Sequence, residues 1–242
     1  MLGLQQVLDE NSGLKRGYCI VRPPGHHAKC QEPAGFCFFN NVAIAARTAR
    51  QAGKRVCIFD WDIHHGDGTQ QEFYEDGEVL FISLHRCDDL SFYPYSEEMT
   101  ASHIGTGKGK YLNVNLAWQT GLVVDEENRE NNQRSELGNS EYKRACDTLL
   151  FPMVKEFQPD LILISCGFDG ALHDHLGWSN LTAIQYEYMT SQLNKICDKL
   201  LVIQEGGYNV ELLGQHASGV ATSLINGPDE GQERPRIAME PT

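Results

Sequence analysis

Residues 55–68 read RVCIFDWDIHHGDG. The run from Val56 to Phe59 is apolar throughout and closes on Asp60, with no alternation of polar and apolar positions. Such a run fits a strand covered on both faces better than one with a wet face. Directly after it come Asp62, His64, His65 and Asp67, spaced by Gly66 and Gly68. In an open α/β sheet, ligands bind beyond the carboxyl ends of the strands, which is where these polar residues fall. Asp62 and His64 are two apart in extended chain, so their side chains share one face.

Outward from this stretch, short apolar runs alternate with helix-type segments. Strands are expected at 18–21, 55–60, 79–84, 111–115, 160–165 and 200–204, and helices at 40–52, 69–75, 142–157, 182–197 and 210–225. A long loop is expected between residue 84 and residue 110. The alternation predicts an α/β fold of three layers, α/β/α, with a mostly parallel sheet. Residues 1–226 read as one domain. Within it, 125–139 (DEENRENNQRSELGN) is almost free of apolar residues and is expected to be an exposed polar insertion. Residues 227–242 carry Pro228, Pro235 and Pro241 and are expected to form a flexible tail.

The formal net charge is −13, from 20 basic and 33 acidic residues. Nucleic acid phosphates and anionic membranes would repel such a chain, whereas a Lys-rich protein tail would be drawn to it. Charge of this kind also serves solubility and does not by itself identify a partner. The 8 cysteines include no CxxC pair, so neither a zinc ribbon nor a disulfide framework is indicated. A reducing compartment follows. No secretory signal is visible at the start, and no apolar run approaches the ~18 residues of a membrane span.

Four loops at strand ends carry the polar residues that stand out. They are RPPGHHA with His26 and His27, DWDIHHGDG with Asp60, Asp62, His64 and Asp67, CGFDG with Asp169, and EGGYN with Tyr208. Asp62, His64 and Asp169 can supply three oxygen and nitrogen ligands and leave a position open, the pattern of a catalytic metal site. Zn²⁺ suits this donor set, and Fe²⁺ or Mn²⁺ would also be accepted. A D-x-H pair alone more often caps a turn. The convergence of four loops raises it above that. His26 and His27 are either solvated residues of a rigid Pro-Pro-Gly turn or an acid–base pair, with Asp60 and Asp67 placed to orient their rings. Gly206 and Gly207 would let the backbone come close and aim Tyr208 inward. The plainer role for Tyr208 is packing on the sheet.

Taken together, GYCIVRPPGHHA, GFCFFNNVAIAAR, IFDWDIHHGDGTQ, FISLHR, SFYP, NVN, ILISCGFD, LGWSNLT and EGGYN resemble the histone deacetylase family, of the arginase–deacetylase fold, and look most similar to its class II. The resemblance runs in family order from Gly17 to Ile225. It implies that Asp62, His64 and Asp169 bind the metal and that His27 shuttles protons beside a more electrostatic His26. Asp60 and Asp67 would orient the two rings, and Tyr208 would bind the substrate carbonyl. It implies a tunnel for acetyl-lysine walled by Phe36 and Tyr93, with Leu176 at the rim and Gly35 and Gly207 in contact with substrate. It further implies structural K⁺ held by Asp60, Ser83 and Leu84 with main-chain oxygens of Asp62 and His64, and a second K⁺ at Phe73, Asp76 and Val79.

The implied activity is zinc-dependent hydrolysis of N-acetyl-lysine in histone tails or tubulin-like proteins, in the nucleus or cytoplasm, with corepressor proteins as partners. An acetylpolyamine amidohydrolase on the same fold is the alternative enzyme, though Leu176 replaces the acid expected at such a rim. An inactive metal-binding or scaffolding fragment is the alternative of another class. Asp67 is the class I-like choice at its position, Tyr93 replaces a more usual Phe, and the 125–139 insertion is unusual. Family domains also carry a longer stretch ahead of RPPGHHA, so the domain is expected to be incomplete at its N-terminus, without a first strand and a rim aspartate.

Overall fold

The computed structural model describes residues 1–122 and 133–227. Its centre is a 6-stranded sheet in the order β1-β6-β5-β2-β3-β4, every pairing parallel. The strands are β1 (Arg16–Cys19), β2 (Val56–Asp60), β3 (Val79–Arg86), β4 (Asn113–Trp118), β5 (Leu161–Cys166) and β6 (Leu200–Gln204). The helices are α1 (Leu2–Leu8), α2 (Asn41–Gln51), α3 (Asp67–Phe73), α4 (Asn139–Ala145), α5 (Phe151–Phe157), α6 (Ala183–Ile196) and α7 (Val210–Asn226). Among the described residues no helix is long and apolar enough to cross a membrane.

The central strands are apolar on both faces because each face meets helices. Successive side chains point to opposite sides. Val56, Ile58, Val79, Phe81, Leu161 and Leu163 therefore pack against Leu4 and Val7 of α1, Val42, Ala46 and Ala49 of α2, and Phe73 of α3. Cys57, Phe59, Leu80, Ile82, Ile162 and Ile164 face the other layer, with Tyr142, Val154, Phe157, Tyr186, Leu193 and Val220 from α4 to α7. This is the expected three-layer α/β/α arrangement of the arginase–deacetylase fold.

Local signals set the element ends. Asn40 caps α2, its Oδ1 accepting the Ala43 N–H at 2.9 Å. The chain turns out of the helix through Gly53 at φ +75. The helix expected at 142–157 is interrupted by a π-turn at Cys146–Leu150. Pro152 in the first turn of α5 has no N–H to give and would clash with a carbonyl one turn back, so the backbone widens ahead of it. β3 and β4 run further than expected, because His85 and Arg86 still pair with Ala117 and Trp118. The expected long loop between them contains three short 3₁₀ turns, at Asp88–Leu90, Glu97–Met99 and Gly107–Gly109.

The segment expected to be an exposed insertion differs in its second half. Residues 125–132 lie outside the described residues, but 133–139 pack closely. Ser135 and Leu137 are buried, and Leu137 joins the larger core cluster. The Arg134 guanidinium donates to the carbonyls of Ser179 at 2.9 Å and Asp174 at 3.1 Å. The Asn180 N–H donates to the Leu137 carbonyl at 2.9 Å. One leucine and a run of hydrogen-bonding side chains suffice to dock a polar sequence against a neighbouring loop, a contact that composition does not reveal. Of the expected tail, only Gly227 is described.

Leu137→Ala should accordingly cost about 2 kcal/mol or more, as for other buried leucines. Urea unfolding measures this. A loss below about 0.5 kcal/mol, typical of exposed positions, would show that the segment does not pack.

Candidate active site

The strand order places β1, β6, β5 and β2 side by side. Their four carboxyl-terminal loops are those carrying the His pair, Tyr208, Asp169 and the Asp62–His64 stretch. The ligand-type atoms of Asp62, His64 and Asp169 all lie within 4.8 Å of one another. Nδ1 of His64 is 3.1 Å from Asp62 Oδ1 and 3.0 Å from Asp169 Oδ2. Both carboxylates are buried. Backbone amides fix them: the N–H groups of His64 (2.9 Å) and Gly206 (3.1 Å) donate to Asp62, and that of Ile63 (3.0 Å) to Asp169. Burial, then the neighbouring Asp62, pushes the Asp169 carboxyl upward. Burial would lower His64, but Asp169 and Asp62 outweigh it and hold the ring near 10. Two buried acids on one imidazole form a donor set that a divalent cation fits by charge and by chemistry.

The β1 loop brings the two histidines beside this cluster, and neither is solvated. His26 Nδ1 lies 2.9 Å from Asp60 Oδ2, and His27 Nδ1 lies 2.8 Å from Asp67 Oδ1. Lys29 shares Asp67, its Nζ 3.0 Å from Oδ2. The two rings titrate in opposite directions. Burial lowers both, but Asp62, Asp60 and Glu205 overcome it at His26, which is held well above the usual histidine range. At His27, burial and the neighbouring His26 charge outweigh Asp67, and the ring falls to about 4. That shift favours the neutral ring at pH 7, with Nδ1 engaged by Asp67.

A cavity of about 290 Å³ opens over these groups, lined by His27, His64, Gly35, Phe36, Tyr93, Leu176 and Tyr208, and also by Phe92, Tyr95 and Trp178. The Tyr93 ring meets His27 edge-on at 4.9 Å, and Phe36 meets Tyr208 at 5.9 Å. Phe92 stacks on His64 at 5.0 Å. Burial, then Asp169, raises Tyr208, so its phenol stays a donor at any working pH. Gly35 has φ +50, and a Cβ there would lie 2.3 Å from His27 Cδ2. Gly207 does not line the cavity. Its neighbour Gly206 is the residue in close approach, where a Cβ would lie 2.5 Å from Asp169 Oδ2.

The residues expected to hold K⁺ are partly gathered. Asp60 and Ser83 are partners in the β2–β3 register, with Leu84 next along β3. Phe73, Asp76 and Val79 share the turn between α3 and β3. The Asp76 carboxylate, however, faces Arg47 at 3.5 Å and Arg50 at 3.4 Å. His65 points away from the metal-type cluster, with Nε2 2.9 Å from Gln70 Oε1.

Sequence reading did not single out Glu205. It is buried and accepts the N–H groups of Gly25 at 2.6 Å and His26 at 3.1 Å, and the Ser165 hydroxyl at 3.2 Å. Burial, then Asp60, pushes it to about 7. An acid at the last turn of a buried strand was the available signal. Phe92 and Trp178 lie within the SFYP and LGWSNLT stretches without having been singled out, and Tyr95 carried no signal beyond being aromatic.

A model of the histone deacetylase domain matches residues 1–224. The chain is 39% identical over 226 residues to histone deacetylase 6 of Caenorhabditis elegans, covering 92% of this chain and 22% of that protein. It is 41% identical over 220 residues to histone deacetylase clr3 of Schizosaccharomyces pombe, covering 89% and 30%. The crystal structure of the HDA15 HD domain superposes with a TM-score of 0.82 at 37% identity, over 93% of this chain and 59% of that one. The chain thus spans between a fifth and a third of the length of these two relatives. With its sheet, its cavity and these matches in agreement, the chain belongs to the histone deacetylase family, on the class II side.

Proposed function

We propose that residues 1–226 form a zinc-dependent deacetylase unit that hydrolyses the acetyl amide of lysine side chains in proteins such as histone tails. One observation carries the reading. A three-donor cluster reaches, through His64, an aromatic-walled cavity that His27 and the half-buried Tyr208 also line. Acetylation removes the lysine charge, so an apolar channel accepts the modified side chain better than the free one. The net charge of −13 would draw basic tails toward the protein over long range.

Asp62, His64 and Asp169 would hold the ion, and a divalent metal bound there supplies Lewis acidity toward a carbonyl and a more acidic water. Phe36 and Tyr93 flank the lysine methylenes. His27 takes a proton at Nε2 from the attacking water and later returns one to the leaving amine. Asp67 fixes the ring through Nδ1. His26, held charged by Asp60, adds positive potential where negative charge develops. The Tyr208 hydroxyl donates to the carbonyl oxygen, more strongly as that oxygen gains charge.

Removing one carboxylate from the cluster tests the ligand set. Asp169→Ala should lose both bound metal and turnover of an acetyl-lysine peptide. Elemental analysis showing full occupancy in that variant would defeat the assignment.

For Tyr208→Phe, kcat should fall roughly 10²- to 10³-fold with metal retained. A change in KM alone would assign the phenol to ground-state binding.

The Asp67 charge raises His27, so Asp67→Asn should lower the pKa of that ring. The base form then persists to lower pH, and the acidic limb of the kcat/KM profile should move down. An unmoved limb would mean that His27 is not the group titrating there.

A further inference from the structure

One buried carboxylate has no part in the metal-type cluster, the histidine pair or the cavity wall. Asp174, in the loop after β5, is 1% exposed. Its Oδ1 accepts the N–H groups of Leu176 at 2.8 Å and Gly177 at 3.3 Å. Its Oδ2 accepts those of Tyr208 at 2.6 Å and Asn209 at 3.2 Å. A single side chain thus binds the backbone of two loops. One carries Leu176 and Trp178 of the cavity wall, and the other carries Tyr208.

Local preference does not hold this arrangement. His173 and Trp178 adopt φ of +70 and +43, which side chains other than glycine rarely tolerate. The loop is kept by ties: Asn209 Nδ2 to the His173 carbonyl at 3.1 Å, Arg86 Nη1 to the Gly177 carbonyl at 2.9 Å, and Arg134 to the carbonyl of Asp174 itself. Asp174 is the tie that bridges to the backbone of the tyrosine loop with a charged acceptor, and charge-assisted bonds are the strong ones. Without it, four N–H donors would lose their acceptor in a partly buried setting.

We propose that Asp174 is a positioning residue that locks Tyr208 and the Leu176–Trp178 wall into one unit, so that the carbonyl donor and the channel are set together. The catalytic part of this rests on the reading of Tyr208 given above. A hydrogen bond weakens steeply over a fraction of an ångström and a few tens of degrees, so freeing the Tyr208 backbone would detune its hydroxyl with the metal ligands untouched.

Hydrogen exchange on the full zinc-loaded chain, with Asp174→Ala and the conservative Asp174→Asn, tests the coupling. Turnover of an acetyl-lysine peptide, alone and combined with Tyr208→Phe, tests its consequence. The amides of residues 176, 177, 208 and 209 should lose protection together, about tenfold or more in Asp174→Ala and less in Asp174→Asn, while β5 and β6 keep theirs. Zinc content should not change. The kcat of Asp174→Ala should fall about 10- to 100-fold, with little further loss, under about threefold, when Asp174→Ala is added to Tyr208→Phe. Release of one loop only, release that spreads into the strands, or losses that multiply would each overturn the proposal. If the wild-type chain turns over no acetyl-lysine peptide, the proposed function fails. The exchange pattern then decides the coupling alone, joint release upholding it and separate release overturning it.

Discussion

Two buried carboxylates, Asp62 and Asp169, share the Nδ1 edge of His64 at 3.0–3.1 Å. Like charges in a low-dielectric interior repel, and each has lost its water, so the pair persists only where positive partners are built in. The chain supplies them as backbone N–H groups from two of its loops, and as the imidazole itself. The backbone must come very close to do this. At Gly167 and Gly206 an added Cβ would fall 2.1 Å and 2.8 Å from Asp62 Oδ2. With these acids in place, the loops after β5 and β6 have room only for glycine at these two positions.

The sheet makes the convergence mechanical. Parallel strands place all their carboxyl ends on one edge. With β2, β5, β6 and β1 as consecutive neighbours, residues far apart in sequence meet. Both faces are sealed by helices, so each strand end is a fixed mount and functional variation is confined to loops. Phe92 shows how far the support extends. It stacks on His64 from one side and lies under the buried Arg86 guanidinium, 4.5 Å from its ring centre.

Adjacent histidines are shifted in opposite directions because their surroundings differ, not their chemistry. His26 sits among Asp60, Asp62 and Glu205. His27 has Asp67, but Lys29 draws on the same carboxylate, and the charge on His26 opposes a second one nearby.

By itself the sequence indicated the six strands and most of the helices, though not α1, and the strand-end loops where polar residues gather. Periodicity and capping are local properties, readable wherever a run of residues meets one environment. Val56–Asp60 reads as a strand covered on both faces, and all of it is buried; Asp62 and His64, two apart, read as sharing one side. Tertiary structure decided everything that depends on which strand lies next to which. Glu205 meets the Gly25 and His26 amides because β1 pairs with β6, a contact 179 or more residues apart in sequence. Asp174 bridges to Tyr208 across 34 residues, from the loop after β5 to the loop after β6, and residues 133–139 dock through Leu137 although their composition reads as solvated. A buried acid and an exposed one are the same letter, and only the packing around it supplies the partners that distinguish them.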